Sequence, residues 1–354
     1  MSTFDALAGL PLQVDDYALE GLSREVSSAF TRQSTVIRLR GAGEEGVGED
    51  VTYDGAAHDI LQEAGTVQPL AGRWTLESFC DHVEALDLWP EPPSMEAFRH
   101  YRHWAYESAA LDLALRQAET TLHEALGREP RPLTFVVSLR LGEPPTLDPV
   151  LRRLERYPAL RLKLDATSDW TPEIFAWLRD SGAVDSIDLK GLYQNTVVDQ
   201  GADAGLYRTV AETFPDAWIE DPRLTDETGP VLQPHRDRIT WDANIHSVAD
   251  IEGLPFPPRM VNVKPSRLGT LRELTAAYDF CDERGIGMYG GGQFEIGPGR
   301  GQIQYLASVF HPDTPNDVAP GGYNDADPPA GLPDSPLAPQ HAATGFRWGD
   351  WADR

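Results

Sequence analysis

Four short apolar runs decide the fold of this chain: Ala217-Trp218-Ile219-Glu220-Asp221-Pro222, Ile239-Thr240-Trp241-Asp242-Ala243-Asn244, Met260-Val261-Asn262-Val263-Lys264-Pro265-Ser266 and Gly287-Met288-Tyr289-Gly290-Gly291-Gly292-Gln293-Phe294-Glu295. Each ends in polar residues of the kind that chemistry uses. Glu220 and Asp242 are 22 residues apart, and so are Asp242 and Lys264. That interval holds one strand, one helix and two loops, which is the beat of a parallel βα array. In such arrays the ligand site lies at the carboxyl ends of the strands, where Glu220, Asp242, Lys264 and Glu295 all fall.

Working outward from these runs, the beat begins near Leu133. Thr134–Leu141, Ala159–Asp165 and Val184–Lys190 read as three earlier strands. Helices are expected over Leu147–Tyr157, from Thr171-Pro172 to Gly182, and over Ala204–Phe214. Asp317-Val318-Ala319-Pro320 can supply an eighth strand. Eight strands with intervening helices make a TIM (β/α) barrel more economical than an open sheet. Residues 1–130 lack the beat. Ser34–Gly41 and Gly46–Val51 read as a hairpin, Ala56–Ala64 as a helix, and Met95–Leu126 as one long helix ending at Gly127. The polar stretch Val14–Arg32 reads as a mobile loop. The expected organisation is therefore α/β: an α+β unit over residues 1–130, a barrel over 131–322, and an extended Pro/Gly-rich tail over 323–354 lying across both.

The formal charge of −26 argues against nucleic acid as a partner, because a carboxylate-dominated surface repels phosphate. Two distant cysteines, the absence of a signal-like N-terminus and the lack of any long apolar run point to a cytoplasmic protein without a membrane span. Assembly into a homo-oligomer is left open. Among 30 basic residues only Lys163, Lys190 and Lys264 are lysine. Arginine cannot release its proton at working pH, whereas a buried lysine can, so lysine persists where proton exchange is needed.

In strand order the polar ends are Lys163, Asp188, Glu220, Asp242, Lys264 and Glu295. Three carboxylates converging on a barrel axis repel one another, and a divalent cation relieves that most directly. Hard oxygen donors without His or Cys favour Mg2+. Lysines on either side of the acids suit removal of a proton from carbon, the metal holding the charge that moves onto the substrate carboxylate.

The series Arg161-Leu162-Lys163, Asp188, Trp218-Ile219-Glu220-Asp221-Pro222, Asp242, Val263-Lys264 and Gly290–Glu295 resembles the enolase superfamily, in particular its muconate-lactonising branch. The hairpin Val36–Glu49, Glu107–Asp112 and Ala125-Leu126-Gly127 are similar to that family's capping domain. The resemblance implies a modified barrel under an N-terminal capping domain. It implies Mg2+ on Asp188, Glu220 and Asp242, with Lys163 and Lys264 as acid/base pair around an enediolate formed from a small-molecule carboxylate. Isomerase, cycloisomerase, epimerase, and lyase or dehydratase outcomes all share this machinery. Arg161, Lys190, Asn244, Gln293 and Glu295 are the expected substrate contacts, and Asp15–Arg32 with Thr52–Ala57 the expected lid.

Three departures stand out. Arg161 occupies the place of the first lysine of the usual Lys-x-Lys pair, Lys190 stands where asparagine is usual, and Asp165 imitates the first metal ligand one strand early. A non-catalytic metal-containing barrel that binds ligand is the second reading, motivated by Arg161 and Lys190. The run Gly290-Gly291-Gly292 with Gly297-Pro298-Gly299-Arg300-Gly301 invites a phosphate reading, yet it matches neither a Walker motif nor a dinucleotide fingerprint.

Overall fold

The computed structural model describes residues 2–26, 31–193 and 198–351. The N-terminal part carries two antiparallel sheets. β1 (Pro11–Val14) pairs with β5 (Gly72–Thr75), while β2 (Asp16–Glu25), β3 (Thr31–Gly41) and β4 (Glu44–Asp50) form a meander. The helix Phe98–Gln117 lies on β4 and is buried along most of its length. Close approach explains two glycines on that strand: a Cβ at Gly46 would stand 2.2 Å from the Ala109 carbonyl oxygen, and one at Gly48 would stand 2.0 Å from that of Ala105.

Two readings of this region are corrected. The stretch expected as a mobile loop is largely β2, registered against β3 from Asp16↔Arg40 to Glu25↔Thr31. Its polarity is that of an edge strand with a solvated face, where Glu20 accepts from Arg38 at 2.7 Å. The part of the expected lid at residues 27–30 lies outside the described residues. The single long helix is two: Glu119 takes a positive φ of 52°, and Thr121 opens a second helix, Leu122–Leu126, by exchanging hydrogen bonds with Glu124.

The barrel strands follow in order. β6 (Val137–Leu139), β7 (Leu162–Asp165), β8 (Val184–Asp188), β9 (Trp218–Glu220) and β10 (Ile239–Thr240) are parallel neighbours. β11 (Met260–Val263) and β12 (Gly287–Gly290) form a second parallel pair. Backbone bonds complete the ring: Asn262 N donates to Trp241 O at 2.9 Å, Asp317 N to Gly290 O at 2.8 Å, and Val136 N to Asn316 O at 2.8 Å. The Asn316-Asp317 segment thus takes the eighth place, sharing only Asp317 with the expected strand Asp317–Pro320. Leu162, Leu164, Ile187 and Ile219 alternate with the polar residues of the same strands and are fully buried in the core.

Asn316 fastens the closure. Its Oδ1 accepts from Gly290 N at 2.5 Å and lies 2.7 Å from His311 Nδ1, and its Nδ2 donates to the carbonyls of Thr134, His311 and Thr314. The C-terminal stretch ties both parts together. Leu337 bridges to Leu133, while Phe346 N and Arg347 Nε both donate to the buried Asp112 at 2.8 Å. Among the described residues no helix is long and apolar enough to cross a membrane.

His311 yields a pH prediction. Burial pushes its imidazole down to about 4 from 6.5, against the favourable bond to Asn316. The unfolded chain therefore binds the extra proton first, and this part of the stability is complete above pH 6.5 and lost as pH falls toward 4. Between pH 7 and 4.5 the native chain should lose roughly 2 kcal/mol more than His311→Gln in urea unfolding. Equal losses would contradict the assignment.

Candidate active site

The strand registers set the site. Asp165 on β7 pairs with Asp188 on β8, and Asp188 with Glu220 on β9, so three carboxylates stand side by side. Lys163 lies two residues before Asp165 and points the same way. Its Nζ contacts Glu220 Oε1 and comes within 3.5 Å of both Asp188 and Asp317. From the sixth place in the ring, Lys264 donates to Asp242 Oδ2 at 2.7 Å. Arg267 reaches Asp242 Oδ1 at 2.6 Å, and Tyr193 donates to Asp242 Oδ2 at 2.9 Å. Tyr289 on β12 donates to Glu220 Oε2. Gly291 makes room for Lys264, since a Cβ there would stand 2.5 Å from the lysine Cε.

Asp188, Glu220 and Asp221 are buried, and each offers an oxygen within 4.8 Å of the others, so among the described residues this trio could hold a metal ion. The carboxylates are hard donors suited to a divalent cation. Asp188 and Glu220 coincide with the ligands expected from sequence. Asp242 does not fall in the trio, because Lys264, Arg267 and Tyr193 engage its carboxylate; Asp221 stands in the third place. Asp221 reaches it through a positive φ of 50° and accepts from the backbone N–H groups of Asp242 at 2.8 Å and Ala243 at 2.9 Å.

The electrostatics separate the two outer lysines. Burial, reinforced by Arg267 and Lys163, lowers the Lys264 ammonium below its usual value, although Asp242 opposes it. Burial also disfavours charge on Lys163, but Glu220, Asp188 and Asp317 outweigh it and raise that ammonium well above its usual value. Burial lifts Asp221 to about 7, with Asp242 and Asp188 adding repulsion. Asp188 goes the other way, since Lys190 and Lys163 overcome its burial and hold it low.

The remaining expected substrate contacts divide. Arg161 is not in the site. It precedes the first residue of β7 and bonds Asp185, the residue that β8 carries unpaired between Val184 and Ser186, at 3.0 Å, and the Gly182 carbonyl, both at the amino ends of the strands. Asn244 is exposed in the turn after Asp242. Lys190 is in the site, with Nζ on Asp188 Oδ2 and 3.6 Å from Asp165 Oδ1. Asp165 also accepts from Arg140 at 2.8 Å, and it stays outside the metal trio.

Gln293 and Glu295 lie where the capping sheet meets the barrel. Gln293 Nε2 donates to Tyr101 at 3.2 Å, and its backbone N donates to Glu295 Oε1 at 2.6 Å. Arg32 spends all its nitrogens on carbonyls: Gln33, Thr52 and Val51 in the capping sheet, Gln293 and Phe294 in the barrel. Beside it, the carboxylate of Glu49 accepts from the backbone N–H groups of Ile296, Gly297 and Gly299 at the start of the helix Pro298–Phe310. Those amides are what the phosphate reading would have required, and a protein carboxylate already takes them.

Sequence reasoning missed Asp221, Arg267, Tyr289, Asp317 and Tyr193 as site residues. Asp221 was visible in the run after Glu220, and Tyr289 falls on the inward phase of its strand. Arg267 and Tyr193 had no signal in strand periodicity, because each follows its strand in a loop or helical turn.

The antiparallel cap, the ring of eight and the acid–lysine mouth together define the class: the fold is that of the enolase superfamily, a modified TIM barrel with an N-terminal capping domain. The solved dipeptide epimerase from Methylococcus capsulatus, complexed with Mg ion, is similar with a TM-score of 0.68 at 20% identity, over 89% of this chain and 92% of that one. The chain belongs to the family described as domain of unknown function DUF8230, whose N-terminal domain matches residues 5–125 and whose C-terminal domain matches 129–325. The o-succinylbenzoate synthase of Geobacillus kaustophilus is 29% identical over 223 residues, 61% of this chain and 58% of that enzyme. The chain thus spans less than two thirds of that relative's length. The N-succinylamino acid racemase of Thermus thermophilus is 27% identical over 309 residues, covering 81% of this chain and 78% of that one.

Glu49→Ala strands three backbone donors in a buried interface and should cost about 2–4 kcal/mol in urea unfolding. A loss below about 0.5 kcal/mol would show that the contact does not hold the cap to the barrel.

Proposed function

We propose that this protein is an acid/base enzyme that removes the proton α to the carboxylate of a small-molecule substrate, with Lys163 and Lys264 as the proton-handling groups and Mg2+ as cofactor. One observation carries the reading: β7 and β11 are the second and sixth members of a ring of eight, so buried amines from opposite walls reach one carboxylate cluster. The names of the relatives support a carboxylate substrate and make succinylated carboxylates the first to try. The isomerase and lyase outcomes both remain within this proposal, as does a cytoplasmic setting.

Lys264, whose charged form burial disfavours, is suited to take the proton. Lys163, held protonated by Glu220 and Asp188, is suited to return one from the other face. The Asn262 amide and the Ser186 hydroxyl are buried without hydrogen-bond partners, and their side chains share the inward phase of β11 and β8. They are available to orient substrate oxygens. Asp188 and Glu220 would hold the ion. The third carboxylate is Asp221 by proximity and Asp242 by strand order, and the relative loss of Mg2+ affinity in Asp221→Asn and Asp242→Asn decides between them. When bound, the metal supplies positive charge against which negative charge on the substrate carboxylate is stabilised.

Two measurements test the proposal. In D2O with Mg2+, the native protein should place deuterium at the α-carbon of at least one member of a succinylated carboxylate set, and Lys264→Ala should slow this about 1,000-fold. Absence of exchange from every member, with Mg2+ bound, would sink the reading. Mg2+ should also raise the thermal midpoint of the native protein but not that of Glu220→Gln, which loses a central ligand.

A further inference from the structure

Lys190 has a geometry that the acid/base reading does not use. Its backbone sits at φ 51°, in the left-handed region that costs a long side chain of order 1 kcal/mol and suits asparagine better. From there Nζ reaches back onto Asp188 Oδ2, and the backbone N of Lys190 donates to Asp188 Oδ1 at 2.9 Å. Asp188 is one of the three carboxylates able to share an ion. On the other side of Nζ, 3.6 Å away, Asp165 Oδ1 is buried and has no hydrogen-bond partner. The Tyr193 ring face, with its centroid 4.8 Å from Nζ, flanks the ammonium. A flexible cation therefore stands between two acceptors, one that an incoming metal needs and one left unsatisfied.

We propose that Lys190 is a tethered, displaceable counter-ion of the cation site, which holds Asp188 and passes to Asp165 when an ion takes Asp188. The inference rests on the Mg2+ reading above. Standing between adjacent buried carboxylates, the Lys190 ammonium adds to the neutralisation that Lys163 gives Asp188 and Arg140 gives Asp165. The same ammonium makes metal binding weaker and exchangeable, since an incoming Mg2+ must displace it and then sit beside it.

The test is Mg2+ titration calorimetry on the full chain. Lys190→Asn and Lys190→Gln should each bind Mg2+ roughly tenfold more tightly than the native protein, and each should unfold at a lower temperature without metal. The pair separates charge from backbone: asparagine relieves the strain at φ 51° and glutamine does not, so tightening in asparagine alone would overturn the proposal. Asp165→Asn removes the second acceptor and should weaken binding in the native background at least threefold more than it does in Lys190→Asn. Equal effects in the two backgrounds would contradict the passage to Asp165. If the native protein binds Mg2+ and the Lys190 variants bind it no more tightly, this inference falls while the acid/base reading stands. If native protein and variants alike bind none, both fall together.

Discussion

Buried carboxylates held against buried cations are the constraint on which this structure depends. Asp188, Glu220, Asp221 and Asp242 are each at most 1% exposed, and an isolated buried charge would cost several kcal/mol. Lys163, Lys190, Lys264 and Arg267 answer them across the barrel mouth. The balance is not one pair per strand. Asp188 faces two lysines, Asp242 faces a lysine, an arginine and a tyrosine, and Asp221 accepts from the backbone N–H groups of Asp242 and Ala243. Burial raises Glu220 and Asp221, whereas the cations beside Asp188 and Asp242 overcome burial and lower them. Groups separated in this way are able to carry different roles in one site.

The second dependence is on the seam between the cap and the barrel. Glu49 closes the amino end of the helix Pro298–Phe310, and Arg32 reaches across to the carbonyls of Gln293 and Phe294. Both contacts fall on the segment that follows β12, next to Gly291 and hence to Lys264. The cap is thereby fastened to the wall of the site. Phe294 itself sits at φ 57°, a conformation that the surrounding contacts must hold in place.

Much of the barrel was legible before any coordinates. The 22-residue beat located the strands, Thr171-Pro172 and Gly182 bounded a helix at both ends, and the closing segment, Asn316-Asp317, begins one residue before the expected Asp317–Pro320. The errors share a physical origin. Val14–Arg32 was misread because an edge strand carries a polar face, and Met95–Leu126 because apolar spacing persists across a break set by Thr121 and Glu124. Arg161 was placed in the site by extending the alternation of β7 one residue before the strand begins, where Asp185 and the Gly182 carbonyl hold it instead.

The sequence by itself determined the order of acids and lysines along the strands, because period-two alternation and βα spacing are local properties of the chain. Tertiary structure alone decided which charges meet. It set Lys190 on Asp188, took Asp242 for Lys264 and Arg267, and brought Asp221 into the trio through a left-handed turn. Such pairings depend on register, loop conformation and the low dielectric of a closed interior, none of which is written in the spacing of residues along one strand.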